Sequence, residues 1–211
     1  MAGNAPAGVA TAHRGLVYCM TMPDKDAHLH WKEVLRRQIA SCPIFDLFAA
    51  ERVSADGRKG EFWILAARDW VNVVPVLLPA EGEPRFLMVR QYRHGAELIT
   101  TEFPAGLVER GEDPAAAAGR ELTEETGYRA GRLTLIGEVR PNPAFMTNRC
   151  FTYLAEDLQP AGAPDLDDLE ALESMSLPVA EVEERAGRGE LVNALTLVAL
   201  MSFQRHRAGP P

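Results

Sequence analysis

One stretch limits what this chain can be more than any other. From Gly106 to Tyr128 it reads Gly-Leu-Val-Glu-Arg-Gly-Glu-Asp-Pro-Ala-Ala-Ala-Ala-Gly-Arg-Glu-Leu-Thr-Glu-Glu-Thr-Gly-Tyr. Asp113 is a good N-cap and Pro114 suits a first helical position, so a helix is expected to start there. Ala115 to Ala118 favour the helix, and Gly127 can end it as the residue after the C-cap. Glu121, Glu124 and Glu125 stand three and four apart, so all three can lean toward one side. Like charges at that spacing destabilise an isolated helix by roughly 0.2–0.5 kcal/mol per pair. Arg120, four residues before Glu124, offsets part of this but cannot neutralise three carboxylates. A hard divalent cation held by oxygen ligands is the natural further counter-charge.

The same stretch resembles the Nudix box. Gly106, Glu112, Arg120, Glu121, Leu122, Glu124, Glu125 and Gly127 match its defined positions, and Tyr128 is a mild departure at the last, aliphatic one. The resemblance implies an α/β/α sandwich with mixed sheets. It also implies a hydrolase of nucleoside diphosphates linked to another group, working with Mg2+ or Mn2+. By resemblance, Glu121 and Glu125 are the principal metal ligands and catalytic carboxylates, Glu124 is a third ligand, and the backbone carbonyl of Ala105 is a fourth. Glu112 is better read as a loop organiser that accepts from backbone amides or pairs with Arg120.

Flanking residues narrow the branch. Val89-Arg-Gln-Tyr-Arg93, Thr101-Glu-Phe-Pro-Ala-Gly106 and Arg68-Asp-Trp-Val-Asn-Val-Val-Pro75 resemble ADP-ribose and nucleotide-sugar pyrophosphatases, with weaker similarity from about residue 31 to 199. Within that resemblance Arg93 holds the pyrophosphate or adjoining ribose, a role suited to a guanidinium fork. Glu102 accepts from a sugar hydroxyl. A plain cross-strand ion pair is the competing reading for both. Trp70 is the first candidate to stack on a base, followed by Phe45, Phe48 and Trp63, although aromatic residues serve cores equally well. Relatives that cleave ADP-ribose often carry a basic glutamate in the loop that here reads Pro141-Asn-Pro-Ala-Phe-Met-Thr-Asn148, which has no carboxylate. Glu173, Glu170 or a box glutamate is left to act as base, with Glu173 favoured. The branch also implies a homodimer in which residues 44–70 reach across to the partner's site.

The expected reaction is hydrolysis of ADP-ribose or a related nucleoside diphosphate sugar to a nucleoside monophosphate and a sugar phosphate. A Nudix hydrolase of another dinucleotide or coenzyme is the first alternative. A nucleotide-sugar sensor without turnover is the second, and it is expected to lack box carboxylates; none is missing.

The 211 residues suit one ordinary domain with an N-terminal appendage, and 46% hydrophobic with 25% charged content is that of a soluble globular protein. A net charge of −8 argues against broad nucleic-acid binding. No run approaches the ~18 apolar residues of a membrane span, and no secretion signal is legible. Cys19, Cys42 and Cys150 are scattered, which points to a reducing cytoplasm. Residues 1–27 read as a mobile tail, with a short strand at Gly15–Met22. His28 and His30, better read as solvent-exposed than as a metal site, lead into a helical pattern through Arg37. Residues 28–70 then form an N-terminal helix and β-hairpin, and residues 71–206 the hydrolase domain. Strands are expected at 44–54, 61–67, 70–78, 85–92, 97–103, 132–139, 150–155 and 172–177. Helices are expected at 179–186 and 191–205.

Overall fold

The computed structural model describes residues 25–166 and 171–209. The expected strand at Gly15–Met22, most of the tail, Cys19 and Glu170 lie outside them. In chain order the elements are β1 (Trp31–Ser41), β2 (Phe45–Ser54), β3 (Lys59–Ala67), β4 (Trp70–Leu77), β5 (Arg85–Arg93), β6 (Leu98–Glu102) and β7 (Ala105–Leu107). Then follow α1 (Pro114–Thr126), β8 (Tyr128–Arg129), β9 (Arg132–Val139), β10 (Cys150–Glu156), β11 (Gln159–Pro160), β12 (Leu172–Pro178), α2 (Val179–Gly187) and α3 (Ala194–Ala208).

The apolar run in β4 is the centre of the molecule, because its alternation feeds both faces of one sheet. Strand order is β12-β5-β4-β10-β9, with β6 added to β5 and β7 to β4. β4 and β10 are parallel while the other pairings are antiparallel, so the sheet is mixed. Val71 and Val73 face α1 and join Ala117, Ala118, Leu122, Phe151 and Tyr153 in one cluster. Val74 faces the other way, among Phe86, Met88, Phe103, Leu154 and residues of α2 and α3 such as Val182, Leu200 and Phe203. Phe86 meets Phe103 and Phe203 edge-on, with ring centroids 5.1 and 4.9 Å apart. Burying each such side chain contributes about 1.5–3 kcal/mol. Helices on both faces of a mixed sheet make the expected α/β/α sandwich.

The helix signals of the box are used as read. The Asp113 carboxylate accepts from the Ala115 amide at 2.8 Å, and Gly127 sits at φ 71° with its amide on the Thr123 carbonyl. At α3 the expected start moves: the helix begins at Ala194, capped by Asn193, rather than at Leu191.

The N-terminal segment corrects one expectation. Residues 31–41 are not a helix but a strand, antiparallel to β2 from Trp31↔Ser54 to Ser41↔Asp46, and β1-β2-β3 form a sheet of their own. The helix-like spacing of Glu33 and Arg36 is realised through a bulge. The register slips between Glu33 and Leu35, which lets an i,i+3 pair meet at 2.8 Å within a strand. Pairing with β2 overrides a local propensity that was weak to begin with. The β2–β3 hairpin turns at Gly57, φ 89°, as its sequence suggested. His28 and His30 are both exposed. Among the described residues, no helix is long and apolar enough to cross a membrane.

Candidate active site

The carboxylates of α1 divide by exposure. Glu121 and Glu125, one turn apart, lie on the buried side at 9% and 3% exposure, while Glu124 is half-buried. Gly106 makes room for them. A Cβ built there would stand 2.0 Å from the Glu121 carboxyl carbon, so the carboxylate can hold this position only against a bare backbone. Next to it the Ala105 amide donates to Glu125 Oε2 at 3.1 Å. β7 and α1 are thus pressed together at the point where the sequence places its candidate ligands.

Arg120 is the counter-charge of the whole loop-helix unit. Its guanidinium donates to Glu121 at 2.8 Å, to Glu124 at 2.9 Å, to Glu112 at 3.1 and 3.3 Å, and to the Leu107 carbonyl at 3.0 Å. Glu112 also accepts from the Glu109 amide at 2.8 Å, as a loop organiser should. Hydrogen bonding from Arg120 outweighs burial and holds the Glu112 carboxyl below its ordinary pKa. The Arg120 pKa is pushed up, first by Glu112 and then by Glu121 and Glu124.

A cavity of about 400 Å³ opens beside this unit, walled by Trp70, Phe45, Arg93, Ala105, Gly106 and Asn193, with apolar Ile44, Leu65, Met146 and Leu195. Of the expected aromatic residues, Trp70 and Phe45 line it. Phe48 instead lies under the Arg36 guanidinium, 5.4 Å from its ring centroid, and Trp63 is 53% exposed on the N-terminal sheet.

Arg93 and Glu102 form the cross-strand ion pair that competed with a ligand role, and Arg93 lines the cavity as well. The pair is bidentate, Nε to Oε1 at 2.9 Å and Nη2 to Oε2 at 2.6 Å. Glu102, 2% exposed, also accepts from the Thr100 hydroxyl. Burial works to raise its pKa; hydrogen bonds, first from Arg93 and then from Thr100, outweigh that and keep it lowered.

Glu173 stands apart from this cavity. On β12 it is opposite Arg90, 3.8 Å from its guanidinium, 78% exposed, in a separate recess shared with Gln91 and Tyr92. The carboxylate-free loop 141–148 is clamped by β3: the Leu65 amide donates to the Phe145 carbonyl at 2.8 Å and the Thr147 amide to the Leu65 carbonyl at 3.1 Å. Arg149, which follows, is bound to Asp69 through its amide and its guanidinium at 2.7–3.1 Å. Asn148 is buried, and neither atom of its amide has a hydrogen-bond partner.

A model of the NUDIX domain matches residues 69–195. The chain belongs to the Nudix family. An ADP-ribose pyrophosphatase of Bacillus subtilis (strain 168) is 31% identical over 181 residues, covering 85% of this chain and 96% of that protein. An ADP-ribose pyrophosphatase of Mycobacterium tuberculosis is 36% identical over 124 residues, 58% of this chain and 60% of that one. In fold, the chain superposes on a crystal structure of ADP compounds hydrolase with a TM-score of 0.72 at 23% identity, over 82% of this chain and 92% of that one. The protein is a Nudix pyrophosphohydrolase.

The Nudix box offers only hard oxygen donors, the set that suits a divalent cation. Among the described residues, no three His, Cys, Asp or Glu side chains cluster as a ready-made cation site. Arg120 bridges Glu121 and Glu124 instead. The donors fit a cation in kind. Gly106 leaves room for the Glu121 carboxylate against its backbone, and were Arg120 to release Glu121 and Glu124 it would still have Glu112 and the Leu107 carbonyl as partners. Sequence reasoning missed Asn193, whose signal was an Asn directly before an apolar helix. It also missed Ile44, Leu65 and Met146, which carry no local signal because they come from separate segments.

Proposed function

We propose that this Nudix enzyme hydrolyses the pyrophosphate bond of ADP-ribose or a closely related nucleoside diphosphate sugar, with Mg2+ or Mn2+. The observation that carries the reading is the junction of two surfaces. A cavity with Trp70, Phe45 and Arg93 in its walls ends on Ala105 and Gly106, against which Glu121 and Glu125 are buried. The names of the Bacillus and Mycobacterium relatives support the substrate class.

In this mechanism Glu121, Glu124, Glu125 and the Ala105 carbonyl hold the cation. When bound, it neutralises pyrophosphate charge and lowers the pKa of water. Arg93 grips the pyrophosphate or the ribose beside it, its fork pre-set by the buried Glu102, which acts through Arg93 rather than on a sugar hydroxyl. Trp70 stacks on the base, and the apolar wall excludes water from that end. Glu173 remains the proposed base, although it stands beside Arg90 in a recess separate from the cavity. Glu173→Gln should flatten the acidic limb of the pH–rate profile, and an unchanged profile strikes Glu173 from the mechanism.

The deciding experiment is a chromatographic assay of the nucleotide products from nucleotide sugars, dinucleotides and coenzyme A, each with Mg2+, with Mn2+ and with chelator. Fastest turnover of ADP-ribose with a cation is expected. Preference for a dinucleotide or coenzyme overturns the substrate, and binding without turnover makes the protein a sensor.

A homodimer is part of the proposal. Val34, Leu35 and Ile39 on β1 and Phe62 and Trp63 on β3 are exposed apolar residues on a sheet in which β1 has, among the described residues, β2 alone as a neighbour. Light scattering at working concentration should give twice the chain mass; a monomer refutes it. We also assign the enzyme to the cytoplasm, supported by the free thiols of Cys42 and Cys150. Recovery from an oxidising compartment on cell fractionation rules that out.

A further inference from the structure

Strand β4 turns alternate side chains to one face, and on that face Trp70 and Asn72 both line the cavity. They stand about 7 Å apart along the strand. Their partners on β7 order the cavity from end to end. Trp70 is in register with Leu107, and Asn72 with Ala105, whose amide donates to the Glu125 carboxylate at 3.1 Å. With a base stacked on Trp70 and the pyrophosphate at the Glu125 end, the group brought beside Asn72 is the ribose between them.

Asn72 is 3% exposed, and one end of its amide is already engaged. Nδ2 donates to the Leu195 carbonyl, in the first turn of α3, at 3.1 Å. A carbonyl oxygen only accepts, so this contact fixes which way the amide faces. Oδ1 accepts from no donor among the described residues, and it is not one of the unpartnered atoms sealed from solvent. It opens on the cavity that Asn72 lines.

The other walls offer that oxygen little competition. The Arg93 and Trp70 side chains bring donors and no acceptor, and the Met146 sulfur accepts only weakly. Asn193 Oδ1 is taken by the Leu195 amide at 2.8 Å and the Thr196 amide at 3.3 Å. The Leu107 carbonyl is held by Arg120 at 3.0 Å, and the Ala105 carbonyl is a proposed cation ligand. A sugar hydroxyl enclosed here needs an acceptor for its proton, because a buried O–H left unmet costs free energy.

We propose that Asn72 is a specificity-determining residue: its Oδ1 accepts from a hydroxyl of the nucleoside ribose, so the cavity selects ribonucleoside diphosphate compounds over their deoxy counterparts. The same hydroxyl oxygen stays available to accept from Arg93, which lines the same cavity. The identity of the ligand rests on the proposed function; the set of the Asn72 amide does not.

Affinity is read by calorimetry in chelator, where no cation supports turnover. The ligands are ADP-ribose and its analogues lacking the 2′- or the 3′-hydroxyl of the adenosine ribose. The wild type should bind at least one deoxy analogue roughly 10- to 100-fold more weakly, the cost of leaving a buried acceptor unmet. Asn72→Leu, similar in volume but without an acceptor, should bind all three alike. Asn72→Asp turns an oxygen to the cavity whichever way it rotates, and should keep the wild-type preference. A change in packing alone would weaken all three ligands together and leave their ratio untouched. Equal wild-type affinities, or none measurable, overturn the inference whether or not a variant folds. So does a preference that survives Asn72→Leu or vanishes in Asn72→Asp. If the affinity ratios come out as expected but Mg2+ or Mn2+ brings no cleavage, the proposed reaction fails and the role of Asn72 stands.

Discussion

In Glu125→Gln protein, kcat should fall by more than roughly 100-fold while the melting temperature stays close to that of the wild type. Loss of groups that only orient a metal ligand costs about 10–100-fold, so loss of a ligand's charge should reach at least the upper end. The fold should tolerate the change, because the glutamine carbonyl can still accept from the Ala105 amide that now sits 3.1 Å from Glu125 Oε2. Circular dichroism and a steady-state assay at saturating Mg2+ check both halves. Wild-type turnover under those conditions would falsify the assignment of the box helix as the catalytic centre.

The second large effect is expected from adding one methyl group. Gly106→Ala puts a Cβ 2.0 Å from the Glu121 carboxyl carbon and Oε1 and 2.3 Å from Oε2, far inside contact distance. The atoms in the way are the end of a side chain, so the protein can yield by turning Glu121 aside rather than by moving backbone. Stability should drop modestly, by about 1–3 kcal/mol, the usual cost of overpacking. Activity should suffer more, because the displaced group is a proposed cation ligand. We expect at least a roughly 100-fold loss in kcat and a higher cation concentration for half-maximal rate. A Gly106→Ala enzyme that unfolds well below the wild type with normal specific activity would show the glycine to be a packing requirement alone.

These two predictions also mark how far local sequence could be read. The box helix was legible because its information is local. Asp113, Pro114 and Gly127 act on backbone groups within a turn of themselves, and the three- and four-residue spacing of the glutamates sets their side without reference to the rest of the chain. β4, β5 and β10 were legible for a similar reason, since short continuous apolar runs rich in β-branched and aromatic residues suit strands buried on both faces. The helical pattern expected through Arg37 was a misreading, because only β2, paired alongside through a bulge, makes residues 31–41 a strand. Arg120 was paired from the sequence with Glu124 and, as one option, with Glu112; folding the loop back on the helix brings both and adds Glu121 and the Leu107 carbonyl.

The sequence alone determined the chemistry on offer: carboxylates one turn apart on a helix, a glycine before them, and arginine and aromatic residues upstream. It did so because caps, spacing and alternation act over a few residues. Tertiary structure alone decided which of those groups meet. Trp70, Phe45, Arg93 and Asn193 share a cavity with the β7 backbone, and Glu173 faces Arg90 in a separate recess. Such meetings depend on how sheets and helices stack across long chain separations, which no local spacing encodes. Gly106 belongs to both levels: its place in the motif is written in the chain, and its necessity appears only when β7 is pressed against Glu121.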